Sequence, residues 1–407
     1  MNSVDVIGIG ALNIDFFSSI KNLSKDFQVS FKNTLENQSE RFRSMEMVDK
    51  FIEGAGSDHY ETMYGGSAFN TIQAIISLGL GLKTGFVGVA GGEAGGRDFW
   101  EHLRSHNIDT TFCYHEPTVP PGKCFAVVDG KDRKLITAEG ANRLLVTNIT
   151  NSGVTLLGTD LVSDFVNYLS SAKWIHLTSF ISRETLSFLN KHIEQAKQNN
   201  PALIVSFDPG DDYSEEVSVE VTDFAQLSDY LFLSWREFRN FAKSSHGEGI
   251  KTISQRIFQQ IGGNAQILVL KGKGSNFVIQ INDKNEIFIR RYWHRFIPPI
   301  FIKDDVGAGD VFAAGFIAGT IIPQFNQYGI GPTKLGAALV IEKLKQRGNL
   351  GYAKFAGIAR ELILSTFSVE ETNLPDLVRL YLPPVVKYGL AILSGIIATV
   401  IYQAILG

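Results

Sequence analysis

From residue 174 onward, short apolar runs alternate with stretches patterned for helices. This alternation constrains the fold more than any other feature of the chain. Residues 174–177, 203–207, 230–233 and 267–270 read as buried strands, and 183–198, 236–242 and 250–261 carry helical spacing between them. Two further strands, 276–281 and 287–291, and two apolar helices, 311–321 and 335–345, complete the pattern. Strands and helices alternating at this length predict a doubly wound, mainly parallel sheet with helices on both faces. Ligands bind such sheets at the carboxyl ends of the strands.

The first half is less regular. A strand is expected over 4–9, ending at Gly10. A long polar stretch over 21–64, with helical patches at 41–52, is expected to pack beside a site rather than to build core. A helix over 68–78, a strand over 84–89, a helix over 97–105 and a strand pair at 123–128 and 134–137 about the turn Asp129-Gly130 follow.

Composition excludes several classes. Of 407 residues, 44% are hydrophobic and 20% charged, as in an ordinary globular chain with a large core. The net charge of −4 comes without any basic block, so nucleic acid is not indicated as a partner. Cys113 and Cys124 stand far from any Cys-x-x-Cys spacing, which argues against a disulfide framework or a zinc site and for a reducing compartment. The N-terminus shows no signal-peptide pattern. The histidines at 59, 115, 176 and 294 have no partner at ligand or triad spacing.

Three motifs carry chemistry. The first is Asp304-Asp-Val-Gly307-Ala308-Gly309-Asp310, directly before an apolar helix. Small residues at a helix start let backbone N–H groups approach an anion, and the positive end of the helix dipole faces the same point. A carboxylate there reaches both the anion and an attacking hydroxyl, the layout of in-line phosphoryl transfer. Alone, the string also fits a glycine-rich turn with Asp310 as a cap. The second motif is Gly65-Gly66-Ser-Ala-Phe-Asn70, which opens a helix and admits a ligand close to backbone. The third, Gly8-Ile-Gly10-Ala-Leu-Asn13-Ile-Asp15, resembles a dinucleotide fingerprint at its first two glycines but has Asn13 in the third position. Asn13 and Asp15 suit recognition of sugar hydroxyls instead. No Walker A string occurs, so phosphate binding uses another device.

These motifs, in this order, resemble the ribokinase or PfkB carbohydrate kinase family, whose signatures are a Gly-Gly-x-x-x-Asn helix start and an Asp-Thr-x-Gly-Ala-Gly-Asp loop. The resemblance covers 3–348 and implies a ribokinase-like sheet with a small β lid, drawn from parts of 12–35 and 110–138. It implies Asp310 as general base, with Gly307, Ala308 and Gly309 as anion hole. Asn13, Asp15, Gly65, Gly66, Asn70 and Asp304 fall where members contact the acceptor. Ser234 and Glu237 fall on the family's Asn-x-x-Glu, with Glu237 acting on Mg²⁺ through water. Lys271, Gly272 and Gly274 fall near the nucleotide. Gly140-Ala141-Asn142 matches a family tripeptide after the lid strands. The resemblance thus implies ATP and Mg²⁺ as cofactors and a sugar or nucleoside as acceptor, and a homodimer is open. The long separation of Asp15 from Gly65 and the wording of 65–71 are reminiscent of adenosine-kinase-like members. Ser234 replaces the usual Asn and Asp305 the usual Thr; these departures motivate an alternative, a membrane-tethered binding scaffold with weak catalysis.

The kinase domain is expected over 1–348, then a linker over 349–387. Residues 388–407 carry no charge, and a run of about 20 such residues suffices to cross a bilayer. The expectation is a C-terminal membrane helix, with Arg379 and Lys387 on its near side and the kinase domain cytoplasmic. A buried C-terminal helix is the other reading. Ala391 and Gly395 have a small-xxx-small spacing.

Overall fold

The computed structural model describes residues 3–35, 40–92, 94–129, 132–151, 160–179, 182–245, 247–262, 267–272, 274–327 and 331–367. One compact unit spans Met1–Leu362, and a second begins at Ile363. In chain order the strands are β1 (Val6–Ile9), β2 (Asn13–Ser19), β3 (Glu40–Phe42), β4 (Tyr60–Gly65), β5 (Thr84–Gly91), β6 (Cys113–Glu116), β7 (Gly122–Asp129) and β8 (Asp132–Ala138). They continue with β9 (Trp174–Thr178), β10 (Ile204–Asp208), β11 (Tyr230–Ser234), β12 (Ile267–Lys271), β13 (Ser275–Ile281) and β14 (Ile287–Trp293).

Nine of these form the main sheet in the order β14-β13-β12-β11-β10-β9-β1-β5-β6. The pairs from β12 to β6 are parallel, and the β13–β14 hairpin adds antiparallel at one edge. The expected doubly wound architecture is present. Ile7, Ile175, Val205 and Leu231 are completely buried, as expected of strands whose two faces are both covered. The crossing from β1 to β9 and β10 brings the ends of β1, β9, β10, β11 and β12 to one edge, ending at Ile9, Thr178, Asp208, Ser234 and Lys271.

Above that edge lies a second sheet, β3-β8-β7-β2-β4. This is the expected lid, but it takes in more chain. β3 and β4 belong to it, and 113–116 joins the main sheet as β6. The polar stretch 21–64 is a correction: it builds a core of its own. Helices Lys25–Leu35 and Met45–Ala55 bury Phe31, Leu35, Val48, Phe51 and Ile52 against Phe125, Val127 and Ile136 of the lid. The rings of Phe27, Phe31, Phe51 and Phe125 meet edge to face, with centroids 5.3 to 5.9 Å apart. Few apolar residues suffice there because four of them are aromatic.

Helix Ala308–Ile321 starts three residues before the expected position and is buried along most of its length. A Cβ on Gly315 would stand 2.5 Å from Gly336 Cα in helix Gly331–Lys343, so the two helices touch backbone to backbone. Past Gly348, where a linker is expected, the segment Gly348–Lys354 and helix Phe355–Phe367 follow, with Tyr352, Phe355 and Ala359 buried. Packed structure therefore runs beyond the expected boundary. Among the described residues no helix is long and apolar enough to cross a membrane. The run 388–407, expected to be a membrane helix, lies outside the described residues, as do residues 368–387 of the expected linker.

Candidate active site

The Asp310 carboxylate stands in the first turn of helix Ala308–Ile321 and is only 9% exposed. Gly307 caps that helix with φ +73°, a left-handed conformation that costs a side-chain-bearing residue energy. Asn70 Nδ2 donates to Asp310 Oδ2 at 3.0 Å, and Thr71 Oγ1 donates to the Asp310 carbonyl at 3.3 Å. The Gly65-Gly66 helix thus reaches across the molecule to orient the carboxylate. Two of the three motifs singled out in the sequence thus meet at one point.

Ala308 N donates to the Asp305 carbonyl at 3.1 Å, so this amide is turned inward. Anion-binding capacity in the first turn falls to the amides after it, since the first N–H groups of a helix have no intrahelical acceptor. Gly309 serves another need. A Cβ there would lie 3.1 Å from Lys271 Nζ. The ammonium of Lys271 is therefore beside the helix N-terminus.

Lys271 ends β12 and pairs with Asp208, which ends β10. Burial disfavours its charge, but the carboxylates of Asp208, Glu237 and Asp310 outweigh this and hold its pKa above the ordinary lysine value. Glu237 is buried beside the same pair. Burial raises its pKa and the Asp208 carboxylate adds to the rise, while Lys271 and the Ser234 hydrogen bonds oppose it. Ser234 and Glu237 form a capping box: Glu237 N donates to Ser234 Oγ at 3.2 Å, and Ser234 N donates to Glu237 Oε2 at 2.6 Å. Serine in place of the family's Asn is thus matched to a helix N-cap at this strand end.

Gly272 is braced from β13 and from the loop after β14. His294 Nε2 donates to the Gly272 carbonyl at 3.1 Å, and Gly272 N donates to Asn276 Oδ1 at 3.2 Å. A Cβ on Gly272 would meet Trp235 Nε1 at 3.0 Å, and one on Gly274 would meet Phe296.

On the lid side, a Cβ on Gly65 would collide with the Asp15 carboxylate, and one on Gly66 would lie 2.0 Å from the Ala11 carbonyl oxygen. Gly66 has φ +112°. These glycines let β2 and the Asn70 helix converge. Asn13 is buried, and its Oδ1 accepts from Asn142 Nδ2 at 3.0 Å; Asn142 Oδ1 accepts from Leu12 N at 2.9 Å. Gly8 and Gly10 are small for packing: Cβ atoms there would strike Ile72 and Ala68. The rejected dinucleotide fingerprint thus has a structural explanation.

Asp304, expected at the acceptor, has both oxygens engaged internally. Oδ2 accepts from Lys343 Nζ at 2.7 Å and from Gly348 N at 2.9 Å, and Oδ1 accepts from Val306 N at 2.9 Å. Lys343 is 1% exposed. The geometry makes Asp304 an anchor of the glycine loop.

Sequence reasoning missed Asp208 and His294. The signal for Asp208 was present, a carboxylate closing an apolar strand before Pro209-Gly210. Nothing in the sequence pairs it with Lys271, 63 positions away. A cavity of about 650 Å³ opens beside the lid edge, lined by Phe42, Arg43, Glu139 and Arg143 among others, and includes none of the chemical groups above.

Among the described residues no cluster of three metal-ligating side chains exists. Asp208, Glu237 and Asp310 face the single ammonium of Lys271.

A carboxylate in a first helical turn, an ammonium beside it and a second sheet at the strand ends sit together at one edge of an α/β sheet. The sequence matches the pfkB family carbohydrate kinases over residues 51–321, and the chain belongs to that family. It is a carbohydrate or nucleoside kinase, and the family is ATP-dependent. The fold is similar to an adenosine kinase from Schistosoma mansoni in complex with 2-fluoroadenosine, at TM-score 0.67 and 18% identity, covering 86% of this chain and 97% of that one. An adenosine kinase from Sinorhizobium meliloti gives TM-score 0.67 at 15% identity over 89% and 100% of the two chains. Ribokinase from Giardia lamblia gives 0.64 at 16% over 89% and 100%.

Proposed function

We propose that this chain transfers the γ-phosphoryl group of Mg·ATP to a hydroxyl of a sugar or nucleoside, with Asp310 as general base. The observation that carries the reading is the buried Asp310 carboxylate, oriented by Asn70 at a helix N-terminus with Lys271 alongside. The acceptor hydroxyl donates its proton to Asp310 while its oxygen attacks the γ-phosphorus in line and the bond from that phosphorus to the β–γ bridging oxygen breaks, releasing ADP. At the Gly307-Ala308-Gly309 helix start, the first-turn amides of Gly309 and Asp310 stabilise the transferring group, and Lys271 adds positive charge beside them.

Asn13 and Asp15 take acceptor hydroxyls from the lid, with Gly65 and Gly66 giving the acceptor close passage to backbone. Gly272 and Gly274 receive the nucleotide on the other side. Glu237 and Asp208 are the residues that would hold Mg²⁺, which would supply charge to neutralise the phosphates. Asp304 is a positioning residue for the loop. Acceptor panels of sugars and nucleosides, run with the full chain and with Asp310→Asn, test the assignment. An acceptor-dependent product that survives Asp310→Asn undiminished would remove the base role.

The uncharged run 388–407 is read as a membrane anchor, with the kinase domain on the cytoplasmic side. Carbonate extraction of the full chain tests this: complete release into the wash would remove the anchor.

A further inference from the structure

Tyr352 lies beyond the family match, which ends at residue 321, and no motif of the sequence points to it. The segment that carries it, Gly348–Lys354, docks on three elements of the site. Gly348 N donates to Asp304 Oδ2 at 2.9 Å, on the loop that leads to Asp310. Asn349 Nδ2 donates to Gln73 Oε1 at 2.8 Å, about one turn past Asn70 in helix Ser67–Ser77. A Cβ on Gly348 would strike Met63, which pairs with Asp15 across β2 and β4. The segment thus touches the glycine loop, the helix of Asn70 and the lid strand beside Asp15.

Within this segment Tyr352 is 6% exposed, and its ring stacks on Phe355 with centroids 4.8 Å apart. Phenylalanine would fill that place equally well, so packing does not explain the hydroxyl. Tyr168, buried elsewhere, donates its hydroxyl to Asp109 at 3.3 Å. Among the described residues the Tyr352 hydroxyl has no hydrogen-bond partner. It is also absent from the polar atoms sealed away from solvent, so it borders space that a ligand can enter. Burial raises the pKa of the phenol, and the carboxylates of Asp310 and Asp304 push it further the same way. The group stays protonated at neutral pH, a donor in the field of the base. Asp304 already accepts from Lys343, Gly348 and Val306, and Asp310 Oδ2 accepts from Asn70. A donor in a buried side chain is costly to leave unpaired, which points to a partner from outside the protein.

We propose that Tyr352 is an acceptor-binding residue, its hydroxyl donating to a second hydroxyl oxygen of the acceptor, apart from the one that Asp310 deprotonates. The inference rests on the kinase reading above and narrows it. The acceptor carries at least two hydroxyl groups, and Tyr352 selects for the one that is not phosphorylated.

The test is turnover and calorimetric binding of the full chain with ribose, fructose and adenosine and the monodeoxy analogues of each, for the parent and Tyr352→Phe. On the acceptor that is phosphorylated, Tyr352→Phe is expected to lower kcat/KM by about 3- to 10-fold, the effect of one neutral hydrogen bond, with KM for ATP unchanged. The same ratio is expected in acceptor Kd, so the comparison holds with or without turnover. One monodeoxy analogue, lacking the oxygen that the phenol meets, is expected to serve parent and variant equally, because both changes remove the same contact. A merely structural role would lower turnover on every analogue by a common factor, and that result would overturn the proposal. So would a parent that uses all the monodeoxy analogues retaining the attacked hydroxyl as well as the complete acceptor, a result read without any variant. Turnover abolished by Asp310→Asn and untouched by Tyr352→Phe would remove the role of Tyr352 alone. A parent that neither phosphorylates nor binds any of these acceptors would remove the kinase reading and this inference together.

Discussion

Lys271→Met removes a charge while keeping the length and bulk of the side chain, and its cost follows from what is left behind. The Lys271 and Asp208 side chains are 13% and 8% exposed, so the pair is largely out of water. Removing one member of a buried ion pair typically costs ~3–5 kcal/mol, because the remaining charge is stranded. Glu237, already raised by burial, relieves part of the strain by taking up a proton. That places the expected cost near the lower end, about 3–4 kcal/mol. At ~2.1 cal/mol/K per residue, a unit spanning Met1–Leu362 has an unfolding entropy of about 0.76 kcal/mol/K. The melting temperature should therefore fall by about 5 °C. Thermal melts at neutral pH, together with urea unfolding, measure it. Asp208→Asn in the same chain should recover most of the loss, since it removes the stranded carboxylate; a double-mutant cycle then gives a coupling of about 2 kcal/mol or more. A melting point within about 1 °C of the parent, or strictly additive losses, would refute the reasoning that these charges are buried and mutually dependent.

Two other outcomes follow from the same geometry. Asp304→Asn strands the Lys343 ammonium, which is 1% exposed, and should cost ~3 kcal/mol or more in urea unfolding and slow turnover through loss of loop position. His176 beneath Asp208 is held neutral: burial lowers its pKa to about 4, with Asp208 opposing and Lys271 assisting. The unfolded chain therefore binds a proton near pH 6.5 that the folded one refuses until about 4, so stability should decline by about 3 kcal/mol as pH falls through that window. His176→Asn should flatten the profile; an unchanged slope between pH 6.5 and 4 would contradict it.

How much of this was legible in the sequence depends on the range of the interaction. Gly307, Gly309 and Asp310 are contiguous, and Gly66 and Asn70 share one helix start, so their chemistry is written locally. Strands β9 to β12 show as apolar runs because both faces of a parallel sheet are covered. Asn13–Ser19 and Tyr60–Gly65 were hidden as strands because lid strands carry polar residues such as Asp15, Glu61 and Thr62 toward a cleft or solvent. The lid core was hidden for a related reason: four phenylalanines from three separate elements form it, and no single window contains them. Asp208 and Lys271 meet only because β10 and β12 flank β11 in the sheet. Asp304 shows how motif and fold add to each other: the resemblance implies a place near the acceptor, and only the fold shows its carboxylate held by Lys343 and Gly348.

The most direct test is phosphoryl transfer from Mg·ATP by the full chain and by Asp310→Asn, across sugars and nucleosides, with nucleotide binding measured in parallel. The account predicts a product that depends on a specific acceptor, a fall of about 10³-fold or more in turnover for Asp310→Asn, and unchanged nucleotide affinity. Parent-like turnover in Asp310→Asn would contradict Asp310 as the base.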